Sequence, residues 1–224
     1  MAKAYFITGT DTGVGKTLVT CALMQLARQH GGKIGAMKPI AAGSDKISSG
    51  WMNDDVVLLK NNLSIEIAAD DLNPYCFREA IAPHIAAAKE NIAIDFDKII
   101  QSLEKITAQA DWVFVEGAGG FKVPLNNDLD MADLTAALKL PVILVVGMRL
   151  GCLNHALLTQ DAIRARGLTL AGWVANTLYP AMPVLEENIC ALKRRINAPL
   201  LGVVPYLPQP NYALLHQLPL SLPT

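Results

Sequence analysis

The segment "GTDTGVGKT", at residues 9–17, is the strongest indicator of the fold in this sequence. It follows an apolar run at residues 4–8 that predicts a buried strand, and it opens a helical pattern over residues 16–29. In a glycine-rich turn between a strand and a helix, successive backbone N–H groups and the positive end of the helix dipole converge on phosphate oxygens. The stretch therefore predicts a phosphate-binding loop. The alternative is a glycine-rich turn with an incidental Lys-Thr pair.

The loop departs from the common phosphate-loop pattern at its first glycine. The common form has glycine where this chain has Thr10, and Gly9 stands one residue too early. We expect the chemistry to be retained, because Lys16 can reach the β- and γ-phosphates and the hydroxyl of Thr17 can ligate Mg²⁺. The early glycine therefore indicates a subclass of nucleotide-binding proteins.

Short apolar runs alternate with helical patterns along the rest of the chain. Strands are predicted near residues 4–8, 34–39, 111–117, 141–147, 168–177 and 199–204, and further helices near residues 54–61, 82–90, 95–109, 130–139, 154–166 and 184–195. This order predicts an α/β fold with a doubly wound, mostly parallel sheet and helices on both faces, as in P-loop NTPases. We expect one ATP-binding domain over residues 1–224, in which the Pro- and Leu-rich residues 205–224 form an irregular tail that wraps the surface or packs at an interface.

The composition narrows the class of partner. Of the 224 residues 52% are apolar, which suffices for a large core, and the formal charge of −1 gives no reason to expect nucleic acid or an anionic membrane surface. The four cysteines are widely separated and form no C-x-x-C pair, so a reducing compartment is expected. We found no long apolar signal region and no apolar run long enough to span a bilayer, and we therefore expect a soluble cytoplasmic protein.

Charged residues stand where predicted strands end or a predicted helix begins. Glu116 ends a central strand, where it can hold a metal ion or be an ordinary exposed strand-end charge. Asp54 and Asp55 begin a helix, and their spacing leaves N-terminal capping and metal binding both open. Lys38 closes the second strand, where it is either a solvated charge or part of the ligand crevice.

Together these segments resemble the dethiobiotin synthetase family, the ATP-dependent cyclo-ligases of the biotin pathway. The resemblance is carried by "YFITGTDTGVGKT" (5–17), "MKPIAAG" (37–43), "NPYCFREAIAPHIAA" (73–87), "DWVFVEGAGG" (111–120), "PVILVVGMRLGCLNHALLT" (141–159) and "GLTLAGWVAN" (167–176). The early glycine belongs to that family's own version of the loop. The resemblance implies a homodimeric P-loop ligase that uses MgATP to join CO₂ to 7,8-diaminononanoate, giving dethiobiotin, ADP and phosphate through a carbamate and a carbamic-phosphoric anhydride.

The resemblance also implies roles for individual residues. The implied Mg²⁺ ligands are Thr17, Asp55 and Glu116. The implied phosphate-lining residues are Gly13, Val14, Gly15, Lys16 and Thr17. The implied catalytic residues are Lys16, Lys38 and Thr12, with Thr12 and Lys38 beside the diamine and its carbamate.

Further residues are implied for the ends of the two substrates. The turn Gly151, Cys152, Leu153 and Asn154 precedes a helix and offers N–H groups to the distal carboxylate of the diamine, from the partner subunit. Asn176 resembles the amide that reads adenine, assisted by the backbone near Pro205. Ala42 stands where the family often has Ser or Thr in contact with the reacting centre, which leaves that contact to water, to Ser44 or to nothing.

Three other classes of protein share parts of this pattern. A regulatory ATPase of the same superfamily usually carries an extra lysine where this chain has Thr10 and Asp11, and often a basic membrane helix, whereas residues 205–224 contain no Lys or Arg. A cobyrinate-type amidotransferase component needs a glutaminase domain, for which the chain has no room. A nucleotide-binding subunit without chemistry would have no use for Lys38 or the metal carboxylates.

Overall fold

Strands and helices alternate along the chain in the computed structural model, which describes residues 2–47 and 50–223. Within those residues the strands are β1 (Lys3–Gly9), β2 (Ile34–Met37), β3 (Ile40–Ala42), β4 (Asp45–Ile47), β5 (Gly50–Met52), β6 (Tyr75–Phe77), β7 (Trp112–Gly120), β8 (Val142–Met148), β9 (Leu170–Thr177) and β10 (Leu200–Val204). The helices are α1 (Lys16–Gln29), α2 (Asp54–Asn61), α3 (Ala69–Leu72), α4 (Pro83–Lys89), α5 (Phe96–Thr107), α6 (Met131–Leu138), α7 (Cys152–Ala165) and α8 (Leu185–Arg195), with a 3-10 turn at Leu215–Gln217.

Six strands form a parallel sheet with the order β10-β9-β8-β1-β7-β2. The first strand lies at the centre, with β7 on one side and β8 on the other. The chain winds outward from it in both directions, so ligands are expected at the carboxyl ends of the strands near this switch point. The predicted doubly wound parallel sheet is confirmed.

Helices cover both faces of the sheet. One face packs against α1, α2 and the 3-10 turn through a core that includes Ile7 and Phe114. The opposite face packs against α4, α5 and α6 around Phe6, and against α7 and α8 around Trp173. Successive residues of a strand point to opposite faces, and because both faces are covered the central strands read as unbroken apolar runs.

The structure contains short strands that the sequence pattern did not predict. β3 pairs in parallel with β6, and β4 pairs with β5 as an antiparallel hairpin within the polar residues 43–53. Each of these strands has only three residues, too few to produce a detectable alternation of apolar and polar side chains. β3 carries Ala42 and β5 leads into α2, so both short sheets border the candidate site described below.

The tail lies against α1 and the outer strand β10. Gln25 of α1 donates through Nε2 to the carbonyl of Tyr212 (2.6 Å) and accepts from the backbone N–H of His216 (3.0 Å). Leu215 is buried, and the backbone N–H of Ser221 donates to the carbonyl of Leu201 (2.8 Å). These contacts place the tail along α1 and β10 of its own chain. Within the described part of the chain no helix has the length and apolar character needed to cross a membrane.

Candidate active site

The early glycine of the phosphate-binding loop has a steric reason. A Cβ atom on Gly9 would lie 2.6 Å from Cγ2 of Val14 and 3.2 Å from Cδ of Lys16, so a side chain there would force Val14 to move and would crowd the loop lysine. Thr10, which replaces the usual glycine, joins the loop to β8: its backbone N–H donates to the carbonyl of Val145 (3.0 Å) and its hydroxyl accepts from the N–H of Gly147 (3.4 Å). The loop therefore closes against a neighbouring strand at the position where the common form relies on glycine.

Gly15 holds the loop at the start of α1. Its φ of +87° lies in the left-handed region, and a Cβ atom would lie 2.2 Å from Nδ2 of Asn176. That amide donates to the carbonyl of Val14 at 2.8 Å, and Asn176 is buried near the carboxyl end of β9. Only glycine fits between the amide and the helix, so Asn176 is part of the support of the loop.

Behind the loop, one lysine contacts two carboxylates. Nζ of Lys38 lies 2.7 Å from Oδ2 of Asp55 and 2.5 Å from Oε1 of Glu116. The hydroxyl of Thr17 lies 2.8 Å from the same Glu116 oxygen and 2.7 Å from Oδ1 of Asp55. Lys38 is 4% exposed and Glu116 is fully buried, whereas the side chain of Asp55 is 39% exposed, so the charge cluster next to the loop is buried at Lys38 and Glu116 and open to solvent at Asp55.

The structure decides the alternatives that the spacing left open. A solvated Lys38 and an exposed Glu116 are both wrong, because both side chains are buried. The capping residue of α2 is Asn53, whose side chain accepts from the N–H of Asp55 (3.0 Å), so neither Asp54 nor Asp55 caps the helix.

The expectation that Glu116 ends its strand is also wrong. β7 continues to Gly120, which is in register with Gly9 of β1 after an irregularity in the pairing. Two positions of this extension require glycine: a Cβ atom on Gly117 would lie 2.9 Å from Cζ of Phe6, and one on Gly119, whose φ is +63°, would lie 2.7 Å from Cγ2 of Val123. Glu116 therefore projects from within a strand, where its backbone is fixed on both sides.

The electrostatics of the cluster differ between its two lysines. Burial works to lower the pKa of Lys38, but the carboxylates of Glu116 and Asp55 outweigh it and raise that pKa above its usual range. For Lys16, burial and the neighbouring charge of Lys38 lower the pKa to about 8, against the opposing effect of the carboxylates. Burial tends to raise the pKa of Asp55, yet Lys38 and the hydrogen bond from Thr17 lower it overall. Lys38 is therefore held as a cation by two carboxylates, whereas the buried ammonium of Lys16 has no carboxylate within hydrogen-bond distance among the described residues.

The cluster has the chemistry of a magnesium site. Hard oxygen donors suit Mg²⁺, and hydroxyl and carboxylate oxygens of Thr17, Asp55 and Glu116 lie together here. Oε2 of Glu116 is buried and has no hydrogen-bond partner among the described residues, which leaves one acceptor for a cation. Within the described ranges no group of three His, Cys, Asp or Glu side chains offers a second kind of metal site. The residues present fit a metal that is held partly by protein and partly by phosphate oxygens.

A cavity of about 740 Å³ opens beside the loop and the charge cluster. Eight of the residues predicted for the site line it, namely Thr12, Gly13, Gly15, Lys16, Thr17, Lys38, Ala42 and Asp55. Its other wall is formed mainly by small apolar residues, which include Ala41, Ala80, Ile81, Pro83, Val123 and Pro124. A highly polar end and an apolar wall suit a ligand that carries both charged groups and an aliphatic segment.

Other predicted residues do not line this cavity. The turn at residues 151–154 follows β8 and begins α7 with Gly151 exposed and Cys152 buried, and Leu150 beside it is fully exposed. Pro205 is exposed just after β10, and Asn176 supports the loop from the side of Gly15. The structure therefore brings together, within one chain, Lys38 and the residues predicted to bind phosphate and metal, but not the turn at 151–154.

Apart from the apolar wall, the sequence did not predict two polar residues that line the cavity. Tyr212 comes from the tail, and Asn53 caps α2 and donates through Nδ2 to the carbonyl of Gly43 (2.6 Å). Asn53 had a signal, since Asn directly before a helical pattern is a favoured capping residue. No local sequence pattern indicated Tyr212, because its position depends on how residues 205–224 pack against the rest of the chain.

Ser44 and His84, whose roles the sequence left open, are not among the lining residues. The hydroxyl of Ser44 lies 3.0 Å from Sγ of Cys76, so it does not replace the hydroxyl that Ala42 lacks. His84 follows Pro83 at the start of α4, and its Nδ1 is buried without a partner among the described residues.

The architecture is shared with solved P-loop ATPases of low sequence identity. The septum site-determining protein MinD of Pyrococcus horikoshii, solved with Mg-ADP, aligns with a TM-score of 0.59 at 18% identity, covering 93% of this chain and 83% of that one. A ParA family ATPase from Chlorobium tepidum aligns with a TM-score of 0.56 at 10% identity, covering 93% of this chain and 86% of that one. At such identities these likenesses support the fold alone.

Sequence comparison identifies the family. An AAA domain family model matches residues 3–212. The ATP-dependent dethiobiotin synthetases BioD of Aromatoleum aromaticum and Nitrosospira multiformis are 56% and 52% identical to this chain, each over 92% of it and over 91% and 89% of their own lengths. The corresponding enzyme of Escherichia coli K12, BioD 1, is 47% identical over 92% of both chains. With the loop, the buried lysine and the paired carboxylates in one site, the chain belongs to the dethiobiotin synthetase family.

Proposed function

We propose that this protein is an ATP-dependent dethiobiotin synthetase, a ligase that closes the ureido ring of dethiobiotin from 7,8-diaminononanoate and CO₂. One amine of the diamine adds to CO₂ and gives a carbamate. A carbamate oxygen attacks the γ-phosphorus of ATP and releases ADP, and the second amine then attacks the carbonyl carbon of the anhydride and releases phosphate. The proposal is supported by relatives of 47–56% identity that carry this name.

The observation that carries the proposal is the buried ammonium of Lys38 next to the phosphate-binding loop. A carbamate that approaches a triphosphate is an anion approaching an anion, so the reaction needs fixed positive charge at the meeting point. Lys38 is held in its charged form by Asp55 and Glu116, and it lines the same cavity as Lys16. We assign Lys38 to the carbamate and to the γ-phosphoryl group in transfer, and Lys16 to the β- and γ-phosphates.

The other residues follow from this arrangement. Gly13, Val14, Gly15 and Thr17 present the backbone and hydroxyl groups of the loop to the phosphates. Thr12, which is exposed and lines the cavity, faces the diamine, and Ala42 borders the same space without a hydroxyl. Asn176 and the backbone near Pro205 are assigned to adenine.

The turn at residues 151–154 is assigned to the distal carboxylate of the diamine in the active site of a second subunit. The turn lies outside the cavity of its own chain and begins the fourteen-residue helix α7. The N–H of Cys152 donates to the carbonyl of Arg149 (3.0 Å), so the N–H groups of Leu153 and Asn154 are the ones assigned to a neighbouring site. This assignment requires a homodimer, which we propose as the functional form. We further propose that the protein is one ATP-binding domain, with residues 205–224 as part of it, and that it acts in the cytoplasm.

Mg²⁺ is the proposed metal, held by Thr17, Asp55 and Glu116. When bound with ATP it would neutralise charge on the β- and γ-phosphate oxygens. The protein holds these ligands in place: β7 fixes the backbone of Glu116, and the first turn of α2, capped by Asn53, fixes that of Asp55.

Replacement of Glu116 by Gln is expected to weaken the Mg²⁺ dependence of the reaction more than it lowers the rate at saturating metal. The amide keeps the shape of the side chain but removes the charge that attracts the cation, so the Mg²⁺ concentration for half-maximal rate should rise by about tenfold or more. Titration of the steady-state rate with Mg²⁺ at fixed ATP measures this. The same titration on Glu66→Gln, at an exposed position after α2, is the matched control. An unchanged titration in Glu116→Gln would remove Glu116 from the ligand set.

The function is tested by the substrate dependence of phosphate release. We expect phosphate release from MgATP to require both 7,8-diaminononanoate and bicarbonate, and mass spectrometry to detect dethiobiotin in the same reaction. Rapid ATP turnover that is unaffected by the diamine would contradict the proposal and favour a regulatory ATPase.

A further inference from the structure

A carboxylate lies inside the phosphate-binding loop. Asp11 stands two residues before Gly13, and its backbone carbonyl accepts a hydrogen bond from Nζ of Lys16 at 3.0 Å. The loop lysine and the Asp11 peptide are therefore in direct contact. An uncompensated negative charge at this position would oppose the binding of a triphosphate, which brings several negative charges to the same place.

The negative charge of Asp11 is neutralised by one residue, which lies in the connection that follows β8. Its Oδ2 pairs with the guanidinium of Arg149, which immediately follows β8, and its Oδ1 accepts from the N–H of Thr12 at 2.7 Å. Both carboxylate oxygens are thus engaged, Oδ2 by Arg149 after β8 and Oδ1 by the loop's own backbone. Together with the two contacts of Thr10 to β8, this pair joins the beginning of the loop to that strand.

We propose that Arg149 is a positioning residue for nucleotide binding, because it neutralises Asp11 and holds the carboxylate away from the triphosphate. The interaction acts through charge as well as through geometry. The side chains are 35% and 45% exposed, so the pair contributes little to folding stability, as for most exposed ion pairs. Its effect is expected in the affinity for phosphate groups that bind a few residues away. The inference rests on the nucleotide site of the proposed function and not on ring closure.

The test measures MgATP binding by calorimetry, without diamine or bicarbonate, so that it does not depend on the ligase reaction. Arg149→Met is expected to raise the Kd of MgATP by about five- to tenfold, and Arg149→Lys by less, because a cation remains. Asp11→Asn in the Arg149→Met background is expected to recover at least half of the lost affinity, because no negative charge is then left to neutralise. The affinity for AMP, which carries less charge, should change less than that for ATP.

Arg194→Met, at an exposed position in the last turn of α8, is the matched control and is expected to bind MgATP like the unmodified protein. Thermal unfolding without nucleotide checks that each variant is folded. If Arg149→Met is unstable, the MgATP affinity of Arg149→Lys is the measurement that tests the proposal. Unchanged MgATP affinity in Arg149→Met would overturn the proposal. A double variant that binds no better than Arg149→Met would also overturn it, since the contact would then act by shape alone.

Discussion

Replacement of Lys38 by Ala is expected to lower kcat by about 10²-fold or more, as for the loss of other preorganised charges at a reacting centre. The proposed carbamate and the transferred phosphoryl group would meet without their nearest fixed cation. The reduced rate should persist at saturating ATP and diamine, since the loss is greatest where charge develops. Steady-state kinetics of dethiobiotin formation measure the change.

The same replacement should destabilise the ligand-free protein. Lys38 pairs with Glu116, which is fully buried, and removal of one partner of a buried ion pair typically destabilises by about 3–5 kcal/mol. Added Mg²⁺ should recover more stability in Lys38→Ala than in the unmodified protein, because a cation can then take the place of the ammonium between the carboxylates. Lys60→Ala, at an exposed position in the last turn of α2, is the control and should leave rate and stability unchanged. Normal turnover in Lys38→Ala would show that its assignment is wrong.

Replacement of Lys16 by Ala should also reduce kcat by about 10²-fold or more, together with a loss of MgATP affinity. Its Nζ donates to the carbonyl of Asp11 and lies at the loop, where we expect the β- and γ-phosphates. Kinetics with varied ATP and direct binding measurements separate the two effects.

The stability of Lys16→Ala should differ in sign from that of Lys38→Ala. Burial and the charge of Lys38 lower the pKa of Lys16 to about 8, so at neutral pH the folded protein keeps a charged lysine in an unfavourable place. A lysine whose pKa is depressed on folding opposes stability below that pKa, and the opposition fades as pH rises toward the unfolded value. At pH 7 the unfolding temperature of Lys16→Ala should therefore not fall below that of the unmodified protein. A decrease as large as that of Lys38→Ala would contradict this account of the two lysines. Lys33→Ala, at an exposed position, is the control.

Much of the fold follows from local patterns in the sequence. The bounds predicted for α1 and α2 agree with the structure, and the four long central strands were found within a few residues. The reason is that a long helix or buried strand repeats its apolar pattern over enough residues to be detected. The strands of three residues have no such repeat, and they were missed.

The phosphate-binding loop could be recognised from the sequence, because its phosphate-contacting groups are expected within nine contiguous residues between a strand and a helix. The burial and pairing of Lys38, Asp55 and Glu116 follow from tertiary packing. Asp55 is 17 positions and Glu116 is 78 positions from Lys38 along the chain, yet a carboxylate oxygen of each lies within 2.7 Å of Nζ of Lys38. The same holds for Tyr212 at the cavity and for Arg149, which pairs with Asp11 from 138 positions away. Burial and charge–charge contact depend on distance in space and not on separation along the chain. A sheet with the strand order β10-β9-β8-β1-β7-β2 brings together residues that no local sequence pattern connects.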